Sequence, residues 1–417
     1  MAPELAAADA DAINCNYNFQ DTLMKSIPIK KTHLVGATLF AAALALPSPH
    51  PAFAEAAPEK GIVAFKYLNY EDKDTNPAQE RIEVNAFSVM AMVPVAGKWS
   101  ITTTYTNDSL SGASPSAHTE YSTNFLSGAS KMTEQRHAVD LGVTRYFQRG
   151  TVALGSSYST EHDYISRSYS AQGTLSTEDK NTTFTFGGSY TTDTIEPTGQ
   201  TDVNGNQSQY AKRTVAWLAG ITKVLTKEDI VQLNLGYANG WGDFSDHYKD
   251  WERRPQRRES KTVMTRWNHH FDGTDGTSRL SYRYYTDTFG VRAHAFGLEY
   301  VQPVADEWTI IPSVRYSSQT AADFYFPVDP AAFKGVSQSA IDTFNAGRAV
   351  SLDQRLSAFG AVTLGIKVEK RIAKEWLVDA KYENYEQRAG WCMTGGGDKG
   401  LAAFSARFIQ LGVSRQF

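Results

Sequence analysis

Apolar and polar residues alternate with a period of two along most of the chain after residue 55. In one stretch, Val231, Leu233 and Leu235 would share one face, and Gln232 and Asn234 would share the other. Successive side chains of a strand point to opposite faces, so this spacing predicts strands rather than helices. The pattern fits a soluble sandwich with its apolar face inward. It also fits a membrane barrel with lipid outside and a polar interior.

The lengths of the connections between the strands separate these two folds. Connections after even-numbered strands are short, as at Ala96-Gly97 and Ala305-Asp306, whereas those after odd-numbered strands are often long, as at 111–133, 241–258 and 320–353. Outer-membrane barrels have short periplasmic turns and long outer loops, and a sandwich has no reason to sort its loops this way. We therefore predict an all-β fold, a transmembrane antiparallel β-barrel of about 16 strands.

Three tryptophans follow short charged turns. Trp99, Trp308 and Trp376 each begin a predicted strand, so they would lie at one depth near the periplasmic surface. An indole has an apolar body and one N–H donor, which suits the boundary between water and lipid. We interpret the three as a periplasmic aromatic girdle.

The chain ends in Phe417 on an alternating strand. This end resembles the last strand of bacterial outer-membrane barrels, which is bound by the barrel-assembly machinery. Arg415 departs from that pattern, since the position is usually apolar or aromatic. A charge near the interface costs only roughly 0–1 kcal/mol, so the departure is tolerable.

Composition narrows the function classes further. The net charge of −4 argues against nucleic-acid binding, which needs a basic surface. Two cysteines, Cys15 and Cys392, cannot form a disulfide framework in 417 residues. A mean hydropathy of −0.40 argues against a bundle of transmembrane helices.

The first residues have the pattern of an export signal. Lysines precede a short apolar run, which ends in Ala52-Phe53-Ala54. Met24 stands directly before Lys25, so we expect residues 1–23 to be an over-extended start, 24–54 a cleavable signal peptide, and 55–417 the barrel. The expected location is the outer membrane of a Gram-negative bacterium.

Several short motifs together resemble one protein family. They run from Asp108 to Pro115, Ser127 to Met132, Val143 to Phe147 and Tyr158 to Tyr164. The set is similar to a family of Gram-negative exported proteins catalogued as a domain of unknown function, family 3570. The resemblance implies an outer-membrane barrel and supplies no catalytic residues. The neighbouring genes of that family hint at an envelope lipoprotein or redox partner.

Charged residues on predicted strands give candidate sites in the barrel interior. A charge facing hydrocarbon is expensive, so these side chains should face the lumen, where they could set ion selectivity or fill the interior with ion pairs. The candidates are Arg283, Arg315, Lys367, Glu369, Asp379, Lys381 and Glu383.

An arginine cluster on an outer loop is the second candidate site. Arg253, Arg254, Arg257 and Arg258 would lie beside the leaflet that is rich in lipopolysaccharide phosphate, and guanidinium groups pair well with phosphate. The alternative is an ordinary solvated loop.

Signals for catalysis or metal binding are weak. Asp108, Ser109, His118 and His137 include the residue types of a hydrolase triad, but serine and aspartate are also common in turns. Asp243, Asp246 and His247 match no established metal-ligand spacing, so we expect no metal and no cofactor.

The sequence thus predicts a channel or porin-like passage for small polar solutes. The alternative is a structural sleeve or binding partner for an envelope assembly, and a barrel hydrolase comes third. The expected partners are outer-membrane lipid, lipopolysaccharide and the assembly machinery.

Overall fold

The protein is a barrel of sixteen antiparallel strands. The computed structural model describes residues 57–73, 83–113, 131–202, 205–247, 252–305, 307–326, 348–398 and 400–417. Among these, no helix is long and apolar enough to cross a bilayer. The strands are β1 Ile62–Lys73, β2 Glu83–Val95, β3 Trp99–Ala113, β4 Lys131–Phe147, β5 Gly150–Thr160, β6 Tyr164–Ser176, β7 Thr182–Ile195, β8 Tyr210–Val224, β9 Asp229–Gly242, β10 Arg257–Phe271, β11 Gly276–Asp287, β12 Arg292–Ala305, β13 Trp308–Gln319, β14 Phe359–Ile372, β15 Trp376–Arg388 and β16 Phe404–Gln416.

The first and last strands close the barrel. Each strand pairs with its neighbours in the chain, and β1 pairs with β16 from Ile62 opposite Gln416 to Lys73 opposite Ser405. Closure leaves no strand edge with unpaired backbone groups, which is a requirement for sheets within a bilayer. The predicted fold class and strand number are confirmed.

The outward face of the barrel is apolar. Leu154, Phe186 and Leu364 are 59%, 61% and 57% exposed. Their inward neighbours in the chain, such as Thr185 and Thr363, are buried and polar. Exposed apolar groups on every strand would be unstable in water but fit acyl chains, which decides for a membrane barrel over a sandwich.

The short connections all lie at one end of the barrel. Ala96 and Gly97 both have positive φ, at 50° and 64°, as a two-residue hairpin turn requires. Lys180, Asp275 and Ala373 also have positive φ within short turns at this end. The opposite end carries the long connections, including residues 243–256, 320–358 and 389–403.

Each girdle tryptophan lies at the short-turn end beside a cation of the next strand. Arg145 lies 4.8 Å from the Trp99 ring centre, Lys370 lies 4.6 Å from that of Trp308, and Arg415 lies 5.3 Å from that of Trp376. In each pair the two residues are directly opposite in register. Arg415 is therefore held by a cation–π contact, which explains a charge at that position.

Candidate functional site

All seven predicted lumen residues lie on the face opposite the exposed apolar belt. Arg283, Lys367, Asp379 and Glu383 are each 5% exposed or less. The inward face therefore carries charge, and much of that charge is paired. Lys381 pairs with Glu383 at 3.0 Å, and Lys367 pairs with Glu369.

One inward ion pair crosses an intervening strand. Lys66 Nζ of β1 lies 2.9 Å from Asp379 Oδ2 of β15, and Gly412 of β16 is opposite both residues in register. A Cβ at Gly412 would lie 2.4 Å from Asp379 Oδ2 and 2.7 Å from Lys66 Nζ. Glycine thus leaves room for the two charges to meet over β16, and a Cβ there would make the end groups of Lys66 and Asp379 shift.

Arginines are concentrated on one side of the interior. Arg266 of β10, Arg279 and Arg283 of β11, and Arg315 of β13 all occupy inward positions. Glu299 of β12 lies 3.7 Å from Arg279, and inward Arg258 of β10 pairs with Asp287 of β11. We call the inward face of β10 to β13 the arginine wall. Sequence reasoning found two of its members and missed Arg266 and Arg279.

The long loops fold onto the inward side of the strand ends. Phe244, Phe289, Ala322 and Leu356, from three different loops, pack with the inward Tyr285 in one buried cluster. A second buried cluster joins loop residue Leu401 to inward apolar side chains, namely Leu68, Tyr70, Val84, Ala86, Ala361, Tyr385, Phe404, Ala406 and Phe408. The loops over β9 to β16 therefore form a cap, which we define as residues 243–247, 252–256, 288–291, 320–326, 348–358 and 389–403 without 399.

A buried ion cluster lies in the centre of the cap. Asp353 is fully buried and accepts hydrogen bonds from Arg254 Nη2 at 2.8 Å and from Arg355 Nε at 2.6 Å. Arg355 also donates to Asp246 at 3.0 Å, and Arg254 pairs with Glu252. Burial disfavours a charged guanidinium, but the adjacent Asp353 outweighs it and raises the pKa of Arg355. The cluster joins the β13–β14 loop to the β9–β10 loop.

Further bonds hold the cap to the barrel. Gln319 Nε2, at the end of β13, donates to the carbonyl oxygens of Arg355 and Ser357, both at 2.8 Å. Tyr325 Oη donates to Asp398 Oδ2 at 2.5 Å. Burial raises the pKa of Tyr325, and the Asp398 carboxylate adds to the shift.

The four arginines predicted to lie on an outer loop have different surroundings, and two of them, Arg257 and Arg258, begin strand β10. Arg254 is buried in the cap, and Arg258 pairs with buried Asp287 at 2.7 Å. Arg253 and Arg257 are exposed, although Arg257 lies 2.7 Å from Glu259. Only Arg253 and Arg257 are therefore accessible for the predicted contact with lipopolysaccharide.

The residues considered for a hydrolase do not converge. Asp108 faces inward and pairs with Arg136 at 2.8 Å, whereas Ser109, the next residue of the same strand, faces outward. His137 Nδ1, on the outward side, lies 2.9 Å from Tyr105 Oη and 3.1 Å from Asn107 Nδ2. His118 lies outside the described residues.

The three residues weighed as metal ligands, Asp243, Asp246 and His247, make other contacts in the structure. Asp246 binds Arg355, and Asp243 lies 3.4 Å from His247. Among the residues that the structure describes, no group of three or more His, Cys, Asp or Glu is placed to hold a metal. The predicted segments 1–23 and 24–54 lie outside the described residues.

Three solved structures with partial similarity to this chain have TM-scores below 0.5. A bacterial polysaccharide outer membrane secretin is 8% identical, with 86% of this chain and 98% of that chain covered and a TM-score of 0.48. The siderophore receptor PirA from Acinetobacter baumannii is 8% identical, with 80% and 53% covered and a TM-score of 0.42. CdiB from Acinetobacter baumannii is 8% identical, with 84% and 60% covered and a TM-score of 0.43. The chain thus spans about half the length of the siderophore receptor it matches.

Sequence comparison identifies the family. Among curated proteins, no sequence matches this chain. A family model described as "Protein of unknown function (DUF3570)" matches residues 36–408. The match covers most of the chain, so the protein belongs to the DUF3570 family.

Proposed function

We propose that the protein is a passage for small polar solutes across the outer membrane. The observation that supports this most directly is the inward face, which is polar and charged beneath an apolar outer belt. Barrels of about 16 strands are wide enough to enclose an aqueous lumen. Burying a charge removes it from water, and this desolvation offsets much of the attraction between paired charges. The inward charges therefore add little to stability, and a role in solute selectivity explains them better.

The arginine wall favours anions as the preferred solutes. Five arginines face inward on β10 to β13, against two acids, Asp287 and Glu299. In a barrel of sixteen strands, this wall lies opposite β2 to β5, where Asp108 and Asp140 face inward. Inward rings of Arg and Lys select anions in known pores, so a net cationic wall should concentrate anions in the lumen.

The cap controls access from the long-loop end. Its two apolar clusters and its ion cluster fill the inward side of the strand ends over β9 to β16. Solutes would pass this part of the mouth after the cap opens. We therefore expect small conductance steps from the intact protein and larger steps when the cap is loosened.

The test is single-channel recording of the refolded residues 55–417 in planar bilayers. Wild-type protein should show discrete steps, and deletion of residues 320–353 should enlarge them. In a KCl gradient, the reversal potential should report anion preference, and the double substitution Arg283→Gln with Arg315→Gln should reduce it.

Arg407→Gln is the matched control, since Arg407 faces outward and pairs with Glu71. It should leave the reversal potential unchanged. If folded wild-type and cap-deleted barrels are both silent, the protein is not a passage for ions and the proposal fails.

A further inference from the structure

The outward face of β5 to β9 contains an apolar groove. Its volume is about 1120 Å³. Small residues form the floor, among them Ala171, Gly173 and Ala219, and large exposed side chains form the walls, among them Phe186 at 61% and Trp217 at 59% exposure. These residues belong to two adjacent cross-strand rows. The register of β6 to β8 therefore places the small and the large side chains of the groove next to one another.

Gly188 shows how closely the groove is built. A Cβ there would lie 2.9 Å from the Trp217 ring, so the indole rests directly against the glycine backbone. Trp217 is in the middle of β8, far from the interfacial depth that indoles prefer. A bulky aromatic wall at this depth offers contact area to acyl chains lying beside it.

A row of cations crosses the same face on the long-loop side of the groove. Arg167 of β6 is opposite Thr192 of β7, which is opposite Arg213 of β8. The row continues to Trp241 of β9 and then to Arg257 of β10. Arg213 is four residues before Trp217, so roughly 13 Å of strand separate the cationic row from the groove.

Among the described residues, no carboxylate pairs with the first two arginines of this row. Arg167 lies 5.6 Å from the Tyr158 ring centre, and Arg213 is exposed with no described side chain paired to it. Strands β5 to β10 are described throughout, and Glu259 is the one acid on their outward positions in the long-loop half. Two uncompensated guanidinium groups above an apolar surface are complementary to a ligand with anionic and apolar ends.

We propose that the outward face of β5 to β10 binds lipopolysaccharide, with its phosphates on Arg167 and Arg213 and its acyl chains in the groove. Guanidinium forks pair bidentately with phosphate, which fits the head of this lipid. The site differs from the loop cluster around Arg253, because its arginines belong to rigid strands. Arg257, at the end of the row, connects the two surfaces.

Two features favour lipopolysaccharide over a glycerophospholipid. The row lies at the long-loop end, which faces the outer leaflet in barrels of this type. The groove is lined by residues of five strands, from Val152 to Tyr237, and five strands at about 4.8 Å spacing have room for several acyl chains side by side. A lipid with two chains would leave part of that surface uncovered.

Binding can be measured by native mass spectrometry and by thermal shift on detergent-purified, delipidated full-length barrel. Three probes would be added separately: lipid A, dephosphorylated lipid A and phosphatidylglycerol. We expect lipid A to bind most tightly. Arg167→Gln and Arg213→Gln should each weaken its binding by at least about tenfold, the effect of losing one charge-assisted contact.

Matched variants separate this site from general lipid contact. Lys223→Gln removes an exposed outward cation from the other end of β8 and should leave lipid A binding unchanged. Ala171→Phe fills the groove floor and should weaken binding, whereas Ala91→Phe, on the outward side of β2, should not. All variants must show the heat-modifiable mobility of a folded barrel.

Three results would overturn the proposal. Equal binding of dephosphorylated lipid A would show that phosphate is not recognised. Equal binding of phosphatidylglycerol would assign the face to anionic lipid in general. A loss in Lys223→Gln as large as in Arg213→Gln would show that overall charge, and not this row, attracts the lipid. The outcome does not depend on whether the barrel conducts solutes.

Discussion

Asp353 is the residue whose neutralisation should open the cap. Its buried carboxylate receives Arg254 at 2.8 Å and Arg355 at 2.6 Å, and its Oδ1 also accepts the backbone N–H of Arg355 at 3.0 Å. Asp353→Asn preserves volume but removes the charge between two buried guanidinium groups. Breaking a buried pair in this way costs about 3–5 kcal/mol. At about 1.4 kcal/mol per tenfold, the open fraction of the cap should rise roughly 10²- to 10³-fold.

Limited trypsin digestion can measure this opening. Arg355 is 3% exposed, so cleavage after it requires the cap to leave the barrel. When opening and closing are fast, the cleavage rate follows the open population. We expect the Arg355 cleavage product, quantified by mass spectrometry, to form about 10²-fold faster in Asp353→Asn than in wild type. The sixteen-strand ladder is untouched, so heat-modifiable mobility should persist.

The control is Asp272→Asn, which removes an aspartate from a short turn at the opposite end. The Asp272 side chain is 82% exposed and makes only a 3.8 Å contact with His270. It should leave the Arg355 cleavage rate unchanged. Wild-type protection of Arg355 in folded Asp353→Asn would show that the apolar clusters hold the cap without the ion cluster, and the reasoning would be wrong.

Two more predictions concern the interior and the cap. Gly412→Ala should make the end groups of Lys66 and Asp379 shift and weaken their ion pair, which should destabilise the barrel by about 1–3 kcal/mol, the usual cost of an added methyl in a packed site. Urea unfolding in lipid vesicles measures this, and wild-type stability would contradict it. Tyr325, whose pKa is raised by burial and by Asp398, donates a hydrogen bond only as the neutral phenol. Its contribution is complete below the unfolded pKa of about 10 and falls by about 1.4 kcal/mol per pH unit above it. The rate of trypsin cleavage in the cap should therefore rise between about pH 10 and 11 in wild type and rise less in Tyr325→Phe. An equal rise in both proteins would show that the Tyr325–Asp398 hydrogen bond does not hold the cap.

The strands were predictable from sequence because side-chain direction in a strand is a local property. The alternation predicts a strand with Val231, Leu233 and Leu235 on one face, and β9 places all three on the outward face. Lipid outside and charge inside impose opposite demands on adjacent positions, so every spanning strand carries the period-two signal. The sorting of short and long connections then favoured a barrel with an even number of strands and indicated the end at which each loop lies.

The cap was not predictable, because its contacts join residues that are far apart in the chain. Arg355 and Asp246 are 109 positions apart, and Arg254 and Asp353 are 99 apart. In the sequence, Arg254 looked like one of four equivalent arginines in a solvated loop, and nothing local distinguished it from exposed Arg253. Which loop arginine becomes buried depends on which other loop supplies a carboxylate.

Register decided the remaining sites. Sequence alone predicted a membrane barrel with an apolar exterior and a charged interior, since the alternation defines two faces on each strand and the sorting of short and long connections separates a barrel from a sandwich. The tertiary structure decided that Gly412 separates Lys66 from Asp379, that Arg415 lies beside Trp376, and that Arg167 and Arg213 share one row. A shift of two residues between neighbouring strands would keep every side chain on its face and change all these partners, so alternation specifies the faces and only pairing specifies the sites.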